Sequence, residues 1–303
     1  MVSTRFHSDL QEARERAARG SVIVQTRCGP IEYEEAGQGV PLLMIHGSGG
    51  GHDQGMAFAR PFSQQGMRVI AMSRFGYLRT PMPTDASPAA QADAHVCLLD
   101  ALGVRLAAVL GISAGALSAM QSAIRHADRV SALVLVVPLA HKPPSVADST
   151  TPPSALAEKA LNWLVGSDFV FWMALRVARD QVIERVLGTP PGQVASAGPD
   201  DQARVTAILN DILPVSARAD GLRNESRVAK NLVPYDLEAI RAPTLIISAR
   251  DDGYGTYASA QYTASRIARV RFIGYGQGGH VLIGHDEEVR RAIATHVMEN
   301  AGP

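Results

Sequence analysis

The sequence predicts an α/β fold in which a mostly parallel sheet is flanked by helices. Short apolar runs recur along the chain, and helical stretches lie between most of them. A strand of a parallel sheet is buried on both faces, so it reads as a continuous apolar run without alternation. Hydrophobic residues make up 46% of the 303 residues, which is ample for a large core and excludes a mostly disordered chain.

The first predicted elements are a helix and a hairpin. Ser8–Ala18 is predicted to be a polar helix, and Ser8 followed three residues later by Gln11 fits a capping box. Ser21–Thr26 and Ile31–Glu35 are short extended runs joined by a turn that contains Gly-Pro, which indicates a hairpin at the edge of the sheet.

The strands and helices of the main sheet follow this hairpin. The predicted buried strands are Leu42–Ile45, Val69–Met72, Ala107–Leu110, Leu133–Val137, Leu245–Ile247 and Arg271–Ile273. The predicted helices between and after them are Ser87–Leu102, Ala114–His126, Tyr257–Ile267 and Asp286–Val297. Strands that alternate with helices in this way pair in parallel.

One long interval interrupts the alternation of strands and helices. No strand is predicted from Pro138 to Tyr235, and this interval contains ten of the 18 prolines and both tryptophans. Helices are predicted within it at Ala155–Val165, Phe169–Leu187, Asp200–Leu213 and Ala217–Val233. The interval is therefore predicted to be a helical insertion that forms a lid over the site or a surface for homodimerisation.

Charge and composition exclude several classes of function. Lys plus Arg and Asp plus Glu are each 29, so the formal net charge is zero. Without a basic excess or a basic run, we expect no binding to nucleic acid or to an anionic membrane surface. The longest apolar run, Val130–Ala140, falls short of the ~20 residues that span a bilayer, and no signal peptide is visible. We therefore expect a cytoplasmic protein without a membrane span.

The two cysteines indicate no metal site. Cys28 and Cys97 lie in different segments, match no metal-binding spacing and cannot form a disulfide framework. We expect neither a metal nor a cofactor, and a small molecule is the expected partner.

A candidate nucleophile lies between a predicted strand and a predicted helix. Gly111-Ile112-Ser113-Ala114-Gly115 fits the pattern G-x-S-x-G. A serine on such a sharp turn is exposed at the end of the strand, near the positive end of the helix dipole. The flanking glycines are expected because larger side chains would clash there. The alternative is an ordinary turn of small residues.

His280 is the predicted base for this serine. A serine hydroxyl needs a base that takes its proton and a carboxylate that orients the base. His280 lies in a Gly-rich loop just after the Arg271–Ile273 strand, and its place in the chain after Ser113 fits. His285 is expected to start the last helix, and His46 to brace the loop that it begins.

Two adjacent aspartates are candidates for the orienting carboxylate. Asp251 and Asp252 both follow the Leu245–Ile247 strand. A carboxylate there would hold the tautomer of the imidazole and stabilise its charged form. The structural alternative for at least one of them is that it caps the next helix or pairs with Arg250.

A Gly-rich loop, His46-Gly47-Ser48-Gly49-Gly50-Gly51, follows the Leu42–Ile45 strand. Successive glycines let backbone N–H groups approach a ligand oxygen closely. A phosphate-binding loop is the rival interpretation. It is disfavoured because the pattern G-x-x-x-x-G-K-[ST] and a nearby lysine are both missing.

Together these motifs resemble the α/β-hydrolase superfamily over about residues 20–300. The resemblance implies that Ser113 is the nucleophile and that the backbone amides of Ala114 and Ser48 form the oxyanion hole, with Gly49 a weaker candidate. Family members often read Gly-Arg-Asp-Asp in the acid loop, and this chain matches except at the first position. The resemblance therefore favours Asp252 as the acid.

The resemblance also implies how the chain is divided. It implies a hydrolase core formed by residues 1–137 and 236–303, with a helical cap at residues 138–235 inserted after the sixth strand.

Differences from known subfamilies narrow the expected activity. Haloalkane dehalogenases and epoxide hydrolases carry Asp where this chain has Ser113. Carbon–carbon bond hydrolases of aromatic degradation usually carry Asn before the serine and Trp after the histidine, and here these positions are Ile112 and Val281. The His-Gly-Gly-Pro-Gly of proline iminopeptidases is absent. An esterase-like group remains.

The sequence therefore predicts a serine hydrolase that cleaves carboxylic esters of small apolar acyl groups through an acyl-enzyme. Apolar residues of the insertion, such as Trp163, Phe171 and Trp172, are expected to line part of the acyl site. The alternatives are a carbon–carbon bond or thioester hydrolase with the same triad, a ligand-binding receptor without turnover, and an interaction protein that uses the insertion.

Overall fold

The computed structural model describes residues 2–143 and 166–302. Within them the chain forms an eight-stranded sheet in the order β1-β2-β4-β3-β5-β6-β7-β8. The strands are β1 Val22–Thr26, β2 Gly29–Ala36, β3 Val40–Ile45, β4 Met67–Met72, β5 Ala107–Ile112, β6 Val130–Val136, β7 Thr244–Ala249 and β8 Val270–Tyr275. β2 pairs antiparallel with β1 and β4, and all other neighbours are parallel. The predicted edge hairpin and all six predicted strands are confirmed, but Arg271–Ile273 is not buried, because β8 lies at the other edge of the sheet.

Eleven α-helices lie within the described residues. Six belong to the part of the chain that forms the sheet: α1 Val2–Ala18, α2 His52–Ala59, α3 Pro88–Ala101, α4 Gly115–Arg125, α10 Thr256–Arg266 and α11 Asp286–Glu299. Five lie between β6 and β7: α5 Asp168–Val177, α6 Arg179–Val186, α7 Pro191–Ser196, α8 Pro199–Asp211 and α9 Ala219–Lys230.

Alternate residues of the central strands face two separate cores. In β3, Leu43 and Ile45 belong to one apolar cluster, whereas Leu42 and Met44 belong to the other. Helices α3, α4 and α10 contribute to the first cluster, and α2 and α11 contribute to the second. The strands are continuously apolar because both of their faces are covered.

The first helix is longer than predicted, and the capping box is wrong. Helix α1 begins at Val2, so Ser8 lies inside the helix. The Gln11 side chain donates to Glu15 one turn later, at 2.8 Å. The helix extends because Phe6 packs edge-on against the ring of Trp172, with the centroids 5.5 Å apart.

The regular elements that the structure describes between β6 and β7 are all helices. The predicted helix Phe169–Leu187 is divided at Ala178 into α5 and α6. The predicted helix Ala155–Val165, with Trp163, lies outside the described residues. The boundaries proposed for the cap, at residues 138 and 235, remain a prediction.

The structure joins Cys28 and Cys97 in a disulfide, with their Cα atoms 6.0 Å apart. The bond links the β1–β2 turn to α3. A single bond is not a disulfide framework, so that expectation stands. The sequence analysis did not predict that these two cysteines pair with each other. Disulfides are rare in cytosolic proteins, so this bond does not support the cytoplasmic location that the sequence predicts.

The described ranges contain neither a membrane-spanning helix nor a metal-binding cluster. No helix of residues 2–143 or 166–302 is long and apolar enough to cross a membrane. The same ranges contain no cluster of three or more His, Cys, Asp or Glu side chains placed to hold a metal ion.

A buried ionic cluster anchors α1 to the sheet. The completely buried His52 donates from Nδ1 to the Glu34 carboxylate at 3.2 Å and from Nε2 to the Ala17 carbonyl at 2.9 Å. Both ring nitrogens face acceptors, so only the protonated imidazolium satisfies both bonds. Burial lowers the pKa of His52, but these two hydrogen bonds and the charge of Glu32 outweigh it and raise the pKa above 6.5.

We expect the free energy of unfolding to decrease as pH rises through the raised pKa of His52. The folded protein holds the proton more tightly than the unfolded chain, so this contribution is complete below pH 6.5 and is lost above the folded pKa. His52→Gln removes the charge and one donor, and should lower Tm most at acidic pH.

Thermal unfolding of the wild type and His52→Gln between about pH 5.5 and 9 measures this contribution. The difference in Tm between the two proteins should shrink as pH rises. A difference that is constant across this range would show that the His52 proton does not stabilise the fold.

Candidate active site

The sheet brings four predicted site residues to one edge. Ser48 follows β3, Ser113 follows β5, Asp252 follows β7 and His280 follows β8. All four loops leave the carboxyl ends of parallel strands, which is where open α/β sheets bind ligands. The topology alone therefore places these segments close together.

Ser113 occupies a left-handed turn between β5 and α4, with φ at +52°. This conformation costs a residue other than glycine about 1–3 kcal/mol, so the surroundings must hold it. The N–H of Ser113 donates to Val136 O at 2.9 Å, and the N–H of Leu139 donates to Ser113 O at 3.0 Å. The last residue of β6 and the main chain just after this strand thus hold the turn.

The two glycines of the G-x-S-x-G pattern are required by close packing. A Cβ atom at Gly111 would lie 2.7 Å from the Ala119 Cβ, and one at Gly115 would lie 2.5 Å from the His46 carbonyl oxygen. Both distances are shorter than real Cβ contacts. The structure therefore agrees with the expectation that larger side chains at these two positions would clash.

Ser113, His280 and Asp252 form a continuous hydrogen-bonded chain. The Ser113 hydroxyl donates to Nε2 of His280 at 2.9 Å, and Nδ1–H of His280 donates to Asp252 Oδ2 at 2.7 Å. The carboxylate of Asp252 is completely buried, and it also accepts from Tyr254 N–H at 2.8 Å and from the Thr256 hydroxyl. A carboxylate at Nδ1 keeps the proton there and leaves Nε2 free to accept from serine.

Asp251 holds the histidine loop and does not contact the imidazole through a hydrogen bond. Its carboxylate accepts from Gly279 N–H at 2.9 Å and Gly278 N–H at 3.3 Å. The side-chain amide of Gln193, in α7, donates to the same carboxylate. In the described part of the chain, Arg250 lies over the Tyr257 ring and forms no ion pair with either aspartate. The two adjacent aspartates therefore have different partners.

The Gly-rich loop after β3 packs against the nucleophile turn. A Cβ atom at Gly47 would lie 3.2 Å from the Ser113 Cβ, so the loop borders the serine. Among the hydrogen bonds between described residues, none is donated by the N–H of Ser48 or Ala114. Within residues 2–143 and 166–302 these two amides therefore have no acceptor, which leaves them free to bind a ligand oxygen.

His46 braces this loop, as its sequence position suggests. Its Nδ1–H donates to Gly47 O at 2.7 Å, and Arg74 N–H donates to its Nε2 at 3.0 Å. Burial and then the nearby charge of Arg74 hold the pKa of His46 well below 6.5, so this imidazole is neutral.

The insertion contacts the acid and histidine loops through the backbone. The carbonyl of Gly188, between α6 and α7, accepts from Gly253 N–H at 2.8 Å and from His280 N–H at 3.2 Å. The Tyr254 hydroxyl donates to Val186 O at 2.9 Å, and its ring meets the His280 ring edge-on at 4.8 Å. Sequence reasoning missed these contacts, because a carbonyl acceptor carries no side-chain signature.

A buried arginine connects the insertion to the Gly-rich loop. The Arg218 side chain is completely buried and donates to Gly50 O, to Ile212 O at 3.0 Å and to Asp211 O at 2.7 Å. It also pairs with the Asp53 carboxylate at 2.6 Å. Burial raises the pKa of Asp53, but the charge and hydrogen bonds of Arg218 outweigh it and bring the pKa below 3.8.

The two buried aromatic residues of α5 pack against other helices, so their contacts do not support the expectation that they line the acyl site. Phe171 and Trp172 belong to a cluster formed by α1, by helices between β6 and β7 and by Ile283 of the histidine loop. The Trp172 indole N–H donates to Asp9 in α1 at 2.8 Å, and the Arg176 guanidinium lies over its ring. The cavity beside Ala114 is lined by other residues.

Comparisons with known proteins find similarity along most of the chain. A model of the alpha/beta hydrolase fold matches residues 40–286. A 2-hydroxymuconate semialdehyde hydrolase from Pseudomonas putida is 29% identical over 273 residues, which cover 88% of this chain and 89% of the relative. A pimeloyl-[acyl-carrier protein] methyl ester esterase from Chromobacterium violaceum is 28% identical, and the match covers 88% of this chain and 98% of the esterase.

A solved structure is also similar along most of its length. An alpha/beta hydrolase fold protein from Nakamurella multipartita superposes with a TM-score of 0.72 at 29% identity, covering 93% of this chain and 100% of that chain. The family model covers well over half of the chain. The chain therefore belongs to the α/β-hydrolase fold family.

Proposed function

We propose that this hydrolase cleaves carboxylic esters through an acyl-enzyme on Ser113. The observation that carries the proposal is the unbroken chain from the Ser113 hydroxyl through His280 to the buried carboxylate of Asp252, with links of 2.9 and 2.7 Å. The methyl ester esterase that is 28% identical supports the choice of an ester.

In the first half of the proposed reaction, Ser113 Oγ attacks the ester carbonyl carbon while its proton passes to Nε2 of His280. Asp252 stabilises the imidazolium that forms. The carbonyl oxygen becomes an oxyanion and accepts hydrogen bonds from the amides of Ser48 and Ala114. The carbon–oxygen bond to the alcohol then breaks, and His280 returns the proton to the departing alcohol.

In the second half, water replaces the alcohol. His280 takes a proton from the water, whose oxygen attacks the acyl carbon and again forms an oxyanion. The bond to Ser113 Oγ breaks, the serine regains its proton from His280, and the carboxylic acid leaves. The enzyme returns to its starting state, so the cycle needs only water.

Carbon–carbon bond hydrolysis is the second candidate, because a 2-hydroxymuconate semialdehyde hydrolase is 29% identical over most of this chain. That reaction would use the same three side chains. Ile112 and Val281 disfavour it, since carbon–carbon bond hydrolases usually carry Asn and Trp at these positions. Turnover of 2-hydroxymuconate semialdehyde, measured beside p-nitrophenyl esters, separates the two reactions.

We also infer that the helices between β6 and β7 act as a cap that holds the site loops. The contacts of Gly188 with the acid and histidine loops and those of Arg218 with the Gly-rich loop support this role. The preference for small apolar acyl groups remains a prediction, and the packing of Phe171 and Trp172 against α1 lends it no support.

We expect Ser113→Ala to abolish ester hydrolysis while the protein stays folded. Loss of the nucleophile in such a triad costs several orders of magnitude in kcat, about 10⁶-fold in a well-studied case. Initial rates with p-nitrophenyl butyrate measure the loss, and Ser265→Ala, an exposed serine in α10, is the matched control. Folded Ser113→Ala protein with near-wild-type kcat would refute the assignment.

We expect Asp252→Asn and Asp251→Asn to differ sharply in kcat. Asn at position 252 favours the wrong tautomer of His280, and the expected loss is about 10⁴-fold. Asn at position 251 keeps an acceptor for Gly279 N–H, so it should chiefly lower Tm and reduce kcat much less. Rates and thermal unfolding of both variants test this ranking, and the reverse order of kcat would place the acid at Asp251.

A further inference from the structure

The Gly-rich loop after β3 has little conformational restraint of its own. Four of its six residues, His46–Gly51, are glycines, and glycine loses more conformational freedom on ordering than any other residue. The N–H of Ser48 must nevertheless keep one direction, because an oxyanion hole works through preorganised donors. Arg218 binds the carbonyl of Gly50, two positions after Ser48. Other contacts must therefore fix the peptide units next to Ser48.

Two side chains from the segment after β4 bind the residues on either side of Ser48. Nη2 of Arg74 donates to Gly47 O at 3.0 Å. The Tyr77 hydroxyl accepts a hydrogen bond from the N–H of Gly49. The Gly49 amide, the weaker candidate for the oxyanion hole, is therefore occupied, and the Ser48 amide lies between two anchored residues.

Arg74 and Tyr77 meet at one carboxylate, which belongs to Glu225 of α9. Nη2 of Arg74 pairs with Glu225 Oε1, so a single nitrogen bridges the carboxylate and the Gly47 carbonyl. The Tyr77 hydroxyl donates to the same carboxylate. Burial, and then the charge of Glu225, raise the pKa of Tyr77 well above 10, so the hydroxyl keeps the proton that it donates.

The three side chains are buried, so solvent does not loosen their contacts. The exposed fraction of the side chain is 8% for Arg74 and 12% for Glu225, and Tyr77 is 1% exposed. The Arg74 guanidinium also lies over the Tyr77 ring, 5.1 Å from its centroid. A buried charge depends strongly on its partner, and a buried pair is screened less than a surface pair. Loss of Glu225 would therefore remove the group that orients both Arg74 and Tyr77.

Helix α9 is docked against the same segment by contacts that do not involve the ion pair. Gly221 N–H donates to Gly76 O at 2.9 Å, and Leu78 N–H donates to Ala217 O at 2.8 Å. A Cβ atom at Gly221 would overlap the Tyr77 ring, so the helix and the ring are in direct contact. Substitution of the carboxylate should therefore leave the helix in place.

We propose that Glu225 is a positioning residue for the oxyanion hole. It orients Arg74 and Tyr77, which anchor the residues before and after Ser48 and keep the Ser48 N–H directed at the carbonyl oxygen of the substrate. Glu225 acts through these two side chains and is not itself a catalytic residue. The inference rests on the proposed ester hydrolysis and adds a link between a helix of the insertion and the oxyanion hole.

Glu225→Ala and Tyr77→Phe test this link through kcat and KM. A misplaced oxyanion donor weakens binding of the transition state alone, so kcat should fall while KM stays nearly unchanged. Loss of one donor costs about 10²–10³-fold in kcat, and with p-nitrophenyl butyrate we expect losses of about 10²-fold in Glu225→Ala and about tenfold in Tyr77→Phe. Tyr77→Phe keeps the ring that packs against α9 and should fold. A wild-type kcat in either variant, or a change confined to KM, would overturn the proposal.

Glu225→Gln and Asp220→Asn are the matched variants. Glutamine keeps the size of the side chain and one acceptor oxygen, so Glu225→Gln should recover part of the kcat that Glu225→Ala loses. Asp220 lies in the same helix and forms an exposed ion pair with Arg223, so Asp220→Asn should keep the wild-type kcat. A loss in Asp220→Asn as large as that in Glu225→Ala would contradict a specific role for Glu225.

Hydrogen exchange of the Gly49 amide separates this inference from the proposed reaction, because it needs no substrate. Measured by NMR, the exchange rate should rise about tenfold in Glu225→Ala and Tyr77→Phe and stay unchanged in Asp220→Asn, since the bond that protects this amide is weakened or lost. Faster exchange in both variants without ester turnover by the wild type would refute ester hydrolysis and support the link. Ester turnover by the wild type with unchanged exchange in both variants would do the reverse.

Discussion

The candidate site depends on the strained turn at Ser113. A serine at φ +52° is stable here because Gly111 and Gly115 let α4 and the end of β3 approach the turn, and because Val136 O accepts the Ser113 N–H. The strain costs about 1–3 kcal/mol, and these hydrogen-bonding and packing contacts of the fold offset it. This turn directs the serine hydroxyl at His280.

The helices between β6 and β7 stabilise the loops at the carboxyl ends of the strands, which the sheet alone does not hold. Loops at the end of a parallel sheet have few partners of their own, and here the insertion supplies them. Gly188 fixes the backbone of the histidine loop, and Arg218 fixes Gly50 in the Gly-rich loop. Arg218 can be completely buried because its guanidinium donates to three carbonyls and to the Asp53 carboxylate, which compensates its charge.

The strands, and the meeting of Ser113, His280 and an aspartate at one end of the sheet, could be predicted from local sequence patterns. Each of these patterns depends on contacts close to the residue itself. A continuous apolar run indicates a strand that is buried on both faces, and successive glycines indicate that another part of the backbone lies close. The choice of Asp252 over Asp251 came from the family resemblance and not from spacing. The structure shows why spacing fails: adjacent side chains leave a loop in different directions and meet different partners.

The sequence analysis failed where a residue's partner lies far along the chain. Trp172 looked like a pocket residue because its contact with Asp9 is not visible in a pattern of neighbours. The pairing of Cys28 with Cys97 and the contact of Arg74 with Glu225 likewise depend on the tertiary fold. The capping box at Ser8 fits its local pattern, but packing of Phe6 against the insertion extends the helix past it.

Location of a covalent adduct tests the central claim most directly. The wild-type protein is treated with a fluorophosphonate, digested and analysed by peptide mass spectrometry. If His280 and Asp252 activate Ser113, the adduct lies on Ser113 alone, and labelling falls strongly in Asp252→Asn. An unlabelled protein, or an adduct on another serine with Ser113 unmodified, would contradict the account.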